Sequence, residues 1–120
     1  MKEFDAFTRG YIEAALWSSI DENGDNLDNY GIEDLSPEAL QSIVSDCEAF
    51  QSEMVKHLEK AGNPCQNGVD FWLTRNGHGA GFWDRGYDKE VSDVLTEASK
   101  FMGECCLYVD EDGKVHFDCS

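Results

Sequence analysis

Between Arg9 and Lys56 the chain contains no lysine and no arginine. The same stretch holds 11 carboxylates: Glu13, Asp21, Glu22, Asp25, Asp28, Glu33, Asp34, Glu38, Asp46, Glu48 and Glu53. Across all 120 residues there are 25 acidic side chains against 9 basic ones, a net charge of −16. Such a field repels nucleic-acid phosphates and anionic membrane, and it attracts basic surfaces. Direct binding of DNA or RNA is therefore the first function class to be set aside.

Other scarcities narrow the reading further. No apolar run approaches the roughly 20 residues that a membrane span needs. The opening Met1-Lys2-Glu3-Phe4-Asp5 lacks the basic and apolar regions of a signal peptide, so a cytoplasmic location is expected. Cysteine is limited to Cys47, Cys65, Cys105, Cys106 and Cys119, an odd number with no CxxC pair. Neither a disulfide framework nor a zinc site is expected from that pattern, and no cofactor is expected. The length fits one domain over residues 1–120, with apolar content sufficient for a single core.

What is present reads as α+β. Phe4 to Ile20 has helical spacing, with Phe7, Gly10, Tyr11, Ala14 and Trp17 on one side and Ile12, Leu16 and Ile20 on another. A helix apolar on two sides belongs in the middle of a core. Asp21 to Leu35 reads as an acidic loop. Ser36 then suits an N-cap, Pro37 the first helical position and Glu38 the first turn, with Leu35 and Leu40 placed for a hydrophobic staple. A helix is expected from Pro37 to about Ala61, stopped by Gly62 and Pro64. Asn63 to Gly68 reads as loop.

Asp70 to Arg75 and Ala80 to Asp84 are rich in aromatics and read as two short strands joined at Asn76-Gly77. Asp88 opens a third helix whose stripe is Val91, Val94, Leu95, Ala98 and Phe101, ended by Gly103. Glu104 to Asp110 and Lys114 to Asp118 form a second hairpin. Cys105 and Cys106 must then point to opposite faces. The expected architecture is three helices and an antiparallel sheet of about four strands, in the order α-α-β-β-α-β-β.

Four segments carry candidate chemistry. The expected hairpin 70–86 repeats Phe-Trp on both arms, at Phe71-Trp72 and Phe82-Trp83, so alternation turns some of these rings outward. Cross-strand packing explains the rings most simply, and an aromatic binding surface of Phe71, Trp72, His78, Phe82, Trp83 and Arg85 is the functional alternative. Gly77-His78-Gly79-Ala80-Gly81 has the glycines of a ligand loop, but no helix follows directly and no nucleophile elbow exists. A turn that needs positive φ accounts for those glycines. His78 stands within reach of pairing with Asp70 or Asp84, yet no spacing identifies a nucleophile, and no catalytic residue is assigned. Asp21-Glu22-Asn23-Gly24-Asp25 begins like a calcium loop, but Asn26 replaces the required glycine and Ile32 the bidentate glutamate, so no metal site is expected.

The segment DFWLTRNGHGAGFWDRG, from Asp70 to Gly86, resembles a stretch of small acidic uncharacterised proteins of tailed bacteriophages and plasmids. Tyr11-Ile-Glu-Ala-Ala-Leu-Trp17, Leu35-Ser-Pro-Glu-Ala-Leu40 and Asp46-Cys47-Glu48-Ala49-Phe50 fit the same resemblance. It implies a phage-type accessory protein in the host cytoplasm, without transferring any functional residue. With the charge, it leads to the expectation of a protein that binds and inhibits a basic or DNA-binding host protein. Its narrower form is a DNA mimic of the anti-restriction or anti-CRISPR kind, carried by Asp21, Glu22, Asp25, Asp28, Glu33, Asp34, Glu38, Asp46, Glu48 and Glu53. The alternatives are an interaction module using the aromatic segment, or a small-ligand protein or enzyme using the Gly77–Gly81 loop and His78. The first helix, apolar on two sides, also leaves a homodimer open.

Overall fold

The computed structural model describes residues 4–19, 27, 30–77 and 81–119. Five helices and one two-stranded antiparallel sheet make up the described fold, which is α+β. The helices are α1 (Ala6–Ser18), α2 (Pro37–Glu53), α3 (Val55–Ala61), α4 (Pro64–Arg75) and α5 (Lys89–Phe101). The strands are β1 (Cys105–Val109) and β2 (Val115–Cys119), and short 3-10 turns stand at Ile32–Asp34 and Phe82–Asp84.

The first expected hairpin does not exist. Its first arm is the C-terminal half of α4, and its second arm is a 3-10 turn. The cause is visible upstream. The Asn63 side chain caps α4 by accepting from Gln66 N at 3.2 Å, and Pro64 occupies the first turn. Those residues start a helix instead of merely stopping the previous one. Asn76-Gly77 keeps its turn chemistry but closes α4, with Gly77 at φ 65°. Aromatic strand propensity is weak when a segment is buried all round, and α4 buries every residue from Asp70 to Arg75.

The second expected helix is divided. Met54 (φ −107°, ψ 17°) leaves the helical region and separates α2 from α3, with no glycine or proline at the break. Its start follows the sequence reading: Ser36 Oγ accepts from Ala39 N at 3.0 Å, with Pro37 in the first turn. The C-terminal hairpin also follows it. Cys105 is buried and Cys106 exposed, and the register pairs Cys105 with Cys119, Leu107 with Phe117 and Val109 with Val115. Leu35 makes a parallel bridge to Val115, and Ser36 N donates to Val115 O at 2.8 Å, tying the start of α2 to β2.

At the centre α1 crosses α4 with almost no space between backbones. A Cβ on Gly10 would lie 2.1 Å from Cys65 O, and one on Gly68 would lie 1.9 Å from Phe7 O. Two glycines, one per helix, therefore permit the contact. Around it Phe7, Tyr11, Phe50, Phe71, Trp72 and Phe82 are all buried. Phe50 stacks on Phe71 at 4.1 Å between centroids, and Tyr11 meets Trp72 edge-on at 5.3 Å. The two-sided apolar helix is thus a core helix, although Trp17 stays 52% exposed. The α5 stripe holds for Val91 and Leu95, while Phe101 points to solvent at 90% exposure.

One cysteine expectation is corrected. Cys105 is disulfide-bonded, whereas Cys47, Cys65 and Cys106 are free. Counting cysteines along the chain could not reveal this, because the strand register, not sequence spacing, decides which positions stand opposite one another. Burial pushes the Cys47 thiol well above its ordinary range, so it behaves as a small hydrophobe.

Candidate functional site

The acidic candidates fall into three groups. Asp21, Glu22, Asp25 and Asp28 lie outside the described residues. Glu33 and Asp34 belong to the 3-10 turn before α2, where Asp34 Oδ2 accepts from Gly31 N at 2.9 Å. Glu38, Asp46, Glu48 and Glu53 are on α2. That helix buries Ala39, Ile43, Cys47 and Phe50 on one side. At about 100° per residue, Glu38 and Glu48 then face away from that side and Glu53 stands on its flank, and all three are exposed. None of the three forms an ion pair. Each therefore presents an uncompensated carboxylate to solvent.

Asp46 has a different role. Its Oδ2 lies 3.0 Å from Arg75 Nη1, and the Arg75 side chain is only 1% exposed. The same guanidinium donates to Tyr11 Oη at 3.0 Å, to Gly103 O at 2.8 Å and to Met102 O at 2.9 Å. It also lies 5.3 Å from the centroid of the Phe71 ring. Arg75 joins α1, α2, α4 and the end of α5 through one planar fork, a geometry lysine cannot copy. The sequence counts Asp46 among the acidic residues of the mimic surface, whereas the structure turns its carboxylate to the buried Arg75 and leaves its side chain 28% exposed. Arg75 itself was missed, because nothing in Phe-Trp-Leu-Thr-Arg distinguishes a buried arginine from an exposed one.

The aromatic candidates are likewise redistributed. Phe71, Trp72 and Phe82 are in the core, and Trp72 Nε1 donates to Ser18 Oγ at 2.7 Å. Only Trp83 of the two Phe-Trp pairs reaches solvent, at 43% exposure. Arg85 makes a bidentate pair with the fully buried Asp70, at 2.8 to 3.1 Å, and Gln66 Nε2 adds a further hydrogen bond to Asp70 at 3.1 Å. Among the described residues of this segment, Phe71, Trp72 and Phe82 do not join Trp83 in an exposed aromatic face.

His78 lies outside the described residues. The pairing considered for Asp70 is taken by Arg85 instead. Of the glycines beside His78, Gly81 packs so that a Cβ would lie 2.2 Å from Thr74 Oγ1, which accepts from Phe82 N at 3.2 Å. Close packing against α4 accounts for that glycine. The described residues hold no group of three or more potential metal ligands. Elsewhere His116 Nε2 meets Asp110 Oδ2 at 2.6 Å, and this contact holds the Asp110 carboxyl below its ordinary range. The same Asp110 accepts from Asp112 N and Lys114 N, so it organises the β1–β2 turn.

Among the clefts of the molecule are two lined by described residues. One, of about 430 Å³, lies along α2 between Phe4, Leu40, Val44 and Glu48. The other, of about 200 Å³, lies where α3 meets α1 and α4. No helix of the described residues is long and apolar enough to cross a membrane. No family model, curated protein or solved structure matches this chain.

Proposed function

We propose that this chain is a phage-type acidic accessory protein that binds a basic surface on a host protein and inhibits it. The observation that carries the reading is the exposed surface of α2. It presents Glu38, Glu48 and Glu53 without counter-ions, inside a stretch of chain that has no lysine or arginine from Gly10 to Val55. An array of one sign accelerates encounter with the opposite sign and rejects like-charged partners. The apolar cleft along the same helix places Phe4, Leu40 and Val44 beside Glu48, which supplies area that can be desolvated next to the charge.

The finer form of the proposal is DNA mimicry, with a DNA-handling protein as the partner. Duplex DNA carries about one charge per 1.7 Å of axis. Glu38 to Glu53 covers about 22 Å of helix at 1.5 Å per residue, so α2 alone supplies a sparser array. The mimic reading therefore depends on the acidic residues from Asp21 to Asp34 adding to it.

Capture from host lysate at low and high salt is the direct test. A nucleic-acid-handling protein held at low salt and released at high salt is the expected result. The variant Glu38→Gln/Glu48→Gln/Glu53→Gln should weaken that capture about tenfold, since each exposed charge contributes roughly 0.5 kcal/mol. Undiminished capture by the triple variant would remove α2 from the interface.

A further inference from the structure

The larger cleft gives the α2 surface a shape as well as a charge. On that helix Leu40, Val44 and Glu48 follow one another at four-residue intervals, and Gln41 and Ser45 form the row beside them. Phe4, just before α1, completes the wall. Phe4, Leu40 and Val44 are only half-buried, so apolar surface remains open in the cleft. The row from Leu40 to Glu48 rises about 12 Å along the helix. Rows at four-residue spacing are the ones between which the side chains of a second helix seat.

Charge then fixes what such a helix carries. The two apolar positions of the row end at the exposed Glu48 carboxylate. Asp5, next to Phe4, is tied to the same helix by Gln51, whose Nε2 donates to Asp5 Oδ2 at 3.2 Å. Arg9 donates to Phe4 O at 3.2 Å and stays outside the lining. Among the described residues, the charge that lines the cleft is therefore negative. An uncharged apolar helix laid here would desolvate Glu48 without pairing it, which is costly, whereas a helix with a cation at that end pairs it. We propose that the α2 cleft receives an amphipathic basic helix of the partner, with two aliphatic side chains four residues apart seated on Phe4, Leu40 and Val44, and a lysine or arginine one turn further on facing Glu48 and Asp5. An amphipathic helix in a groove is anchored by this kind of spacing. The proposal rests on the reading that the chain binds a basic surface of a host protein, and it specifies the element of that surface.

The test follows the fluorescence anisotropy of a labelled alanine-based helix of about 16 residues on addition of the full chain. The probe carries leucine at two positions four apart and lysine four residues beyond the second. Saturable binding is expected, about tenfold weaker when both leucines are replaced by glutamine at the same net charge. Ser45→Arg, an exposed change that puts bulk and a positive charge into the cleft, should weaken binding about tenfold or more. Glu48→Gln should weaken it about threefold. Absence of saturation, equal binding of the glutamine helix, or an unchanged affinity in Ser45→Arg would each overturn the proposal. A doubled mass in sedimentation equilibrium that Ser45→Arg abolishes would give the cleft to a second copy and overturn it as well. Capture from host lysate separates this proposal from the broader reading. If Ser45→Arg captures a host protein that Glu38→Gln/Glu48→Gln/Glu53→Gln loses, the charged surface acts without the cleft and the proposal fails alone. If the model helix binds and no host protein is captured, the preference of the cleft for a basic helix stands and the host-inhibition reading falls.

Discussion

At the scale of single residues, Arg75 ties distant segments of the chain together. Its guanidinium is enclosed by Tyr11, Asp46, Phe71, Met102 and Gly103, which brings α1, α2 and the end of α5 together on α4. Removing it takes the donor away from two half-buried backbone carbonyls, from the partly exposed Asp46 carboxylate and from the buried Tyr11 hydroxyl. Arg75→Met should therefore cost about 3 kcal/mol or more in urea unfolding. Arg75→Lys should recover only part of this, because one ammonium cannot span the same acceptors. A loss below 1 kcal/mol for Arg75→Met would mean that the network is dispensable. Asp70 and Arg85 form a second such pair, but there the arginine is partly exposed, at 32% of its side chain. Both pairs connect aromatic-rich α4 to its surroundings, and both were hidden in the sequence. Burial of a charge depends on neighbours that come from distant positions.

At the scale of elements, the α1–α4 crossing sets how closely everything else can pack. Gly10 and Gly68 are the two places where the backbones touch, and their missing side chains are the reason. Gly68→Ala should destabilise by about 2 to 3 kcal/mol, since Phe7 O is backbone and cannot move aside alone. Circular dichroism at rising urea measures it, with Gly62→Ala as a poor control because φ there is 97° and the strain is local. Ala61→Gly, away from the crossing, is a better comparison and should cost only about 1 kcal/mol of helix propensity. Equal losses in the two variants would show that the crossing carries no special constraint. Helix starts were legible where capping chemistry was explicit, as at Ser36-Pro37. The start at Asn63-Pro64 carries the same signature, but a glycine just before it invited reading the proline as a stop. The Phe-Trp pairs have the aromatic content of strand arms, and Asn-Gly has the chemistry of a hairpin turn. In α4 that dipeptide serves as a helix terminus, which the same backbone conformation allows.

At the scale of the whole molecule, charge is the dominant property. A net charge of −16 on 120 residues repels itself in the compact state. Among the described residues, Asp46, Asp70, Asp93 and Asp110 are answered internally by Arg75, Arg85, Lys89 and His116. Raising ionic strength from about 0.01 M to 0.15 M shortens the screening length from about 30 Å to 8 Å. Thermal stability should therefore rise with sodium chloride over that range, by a few degrees, and Glu38→Gln/Glu48→Gln/Glu53→Gln should show a smaller rise. A melting temperature that falls or stays level with salt would mean that internal ion pairs outweigh the surface repulsion. The same repulsion opposes the association of copies of the chain.

Composition and local chemistry determined a good deal of this protein by themselves. They settled the sign and location of the charge, the α+β class, the cap at Ser36, the central α1 and the C-terminal hairpin. Each follows from spacing or from contacts between near neighbours in the chain. The tertiary structure alone decided that α4 is a helix, that Phe71, Trp72 and Phe82 are core, that Asp46 turns inward to Arg75, and that Phe4 joins α2 in lining a cleft. Those outcomes depend on which distant segments meet, and neither periodicity nor composition encodes the burial that such meetings create.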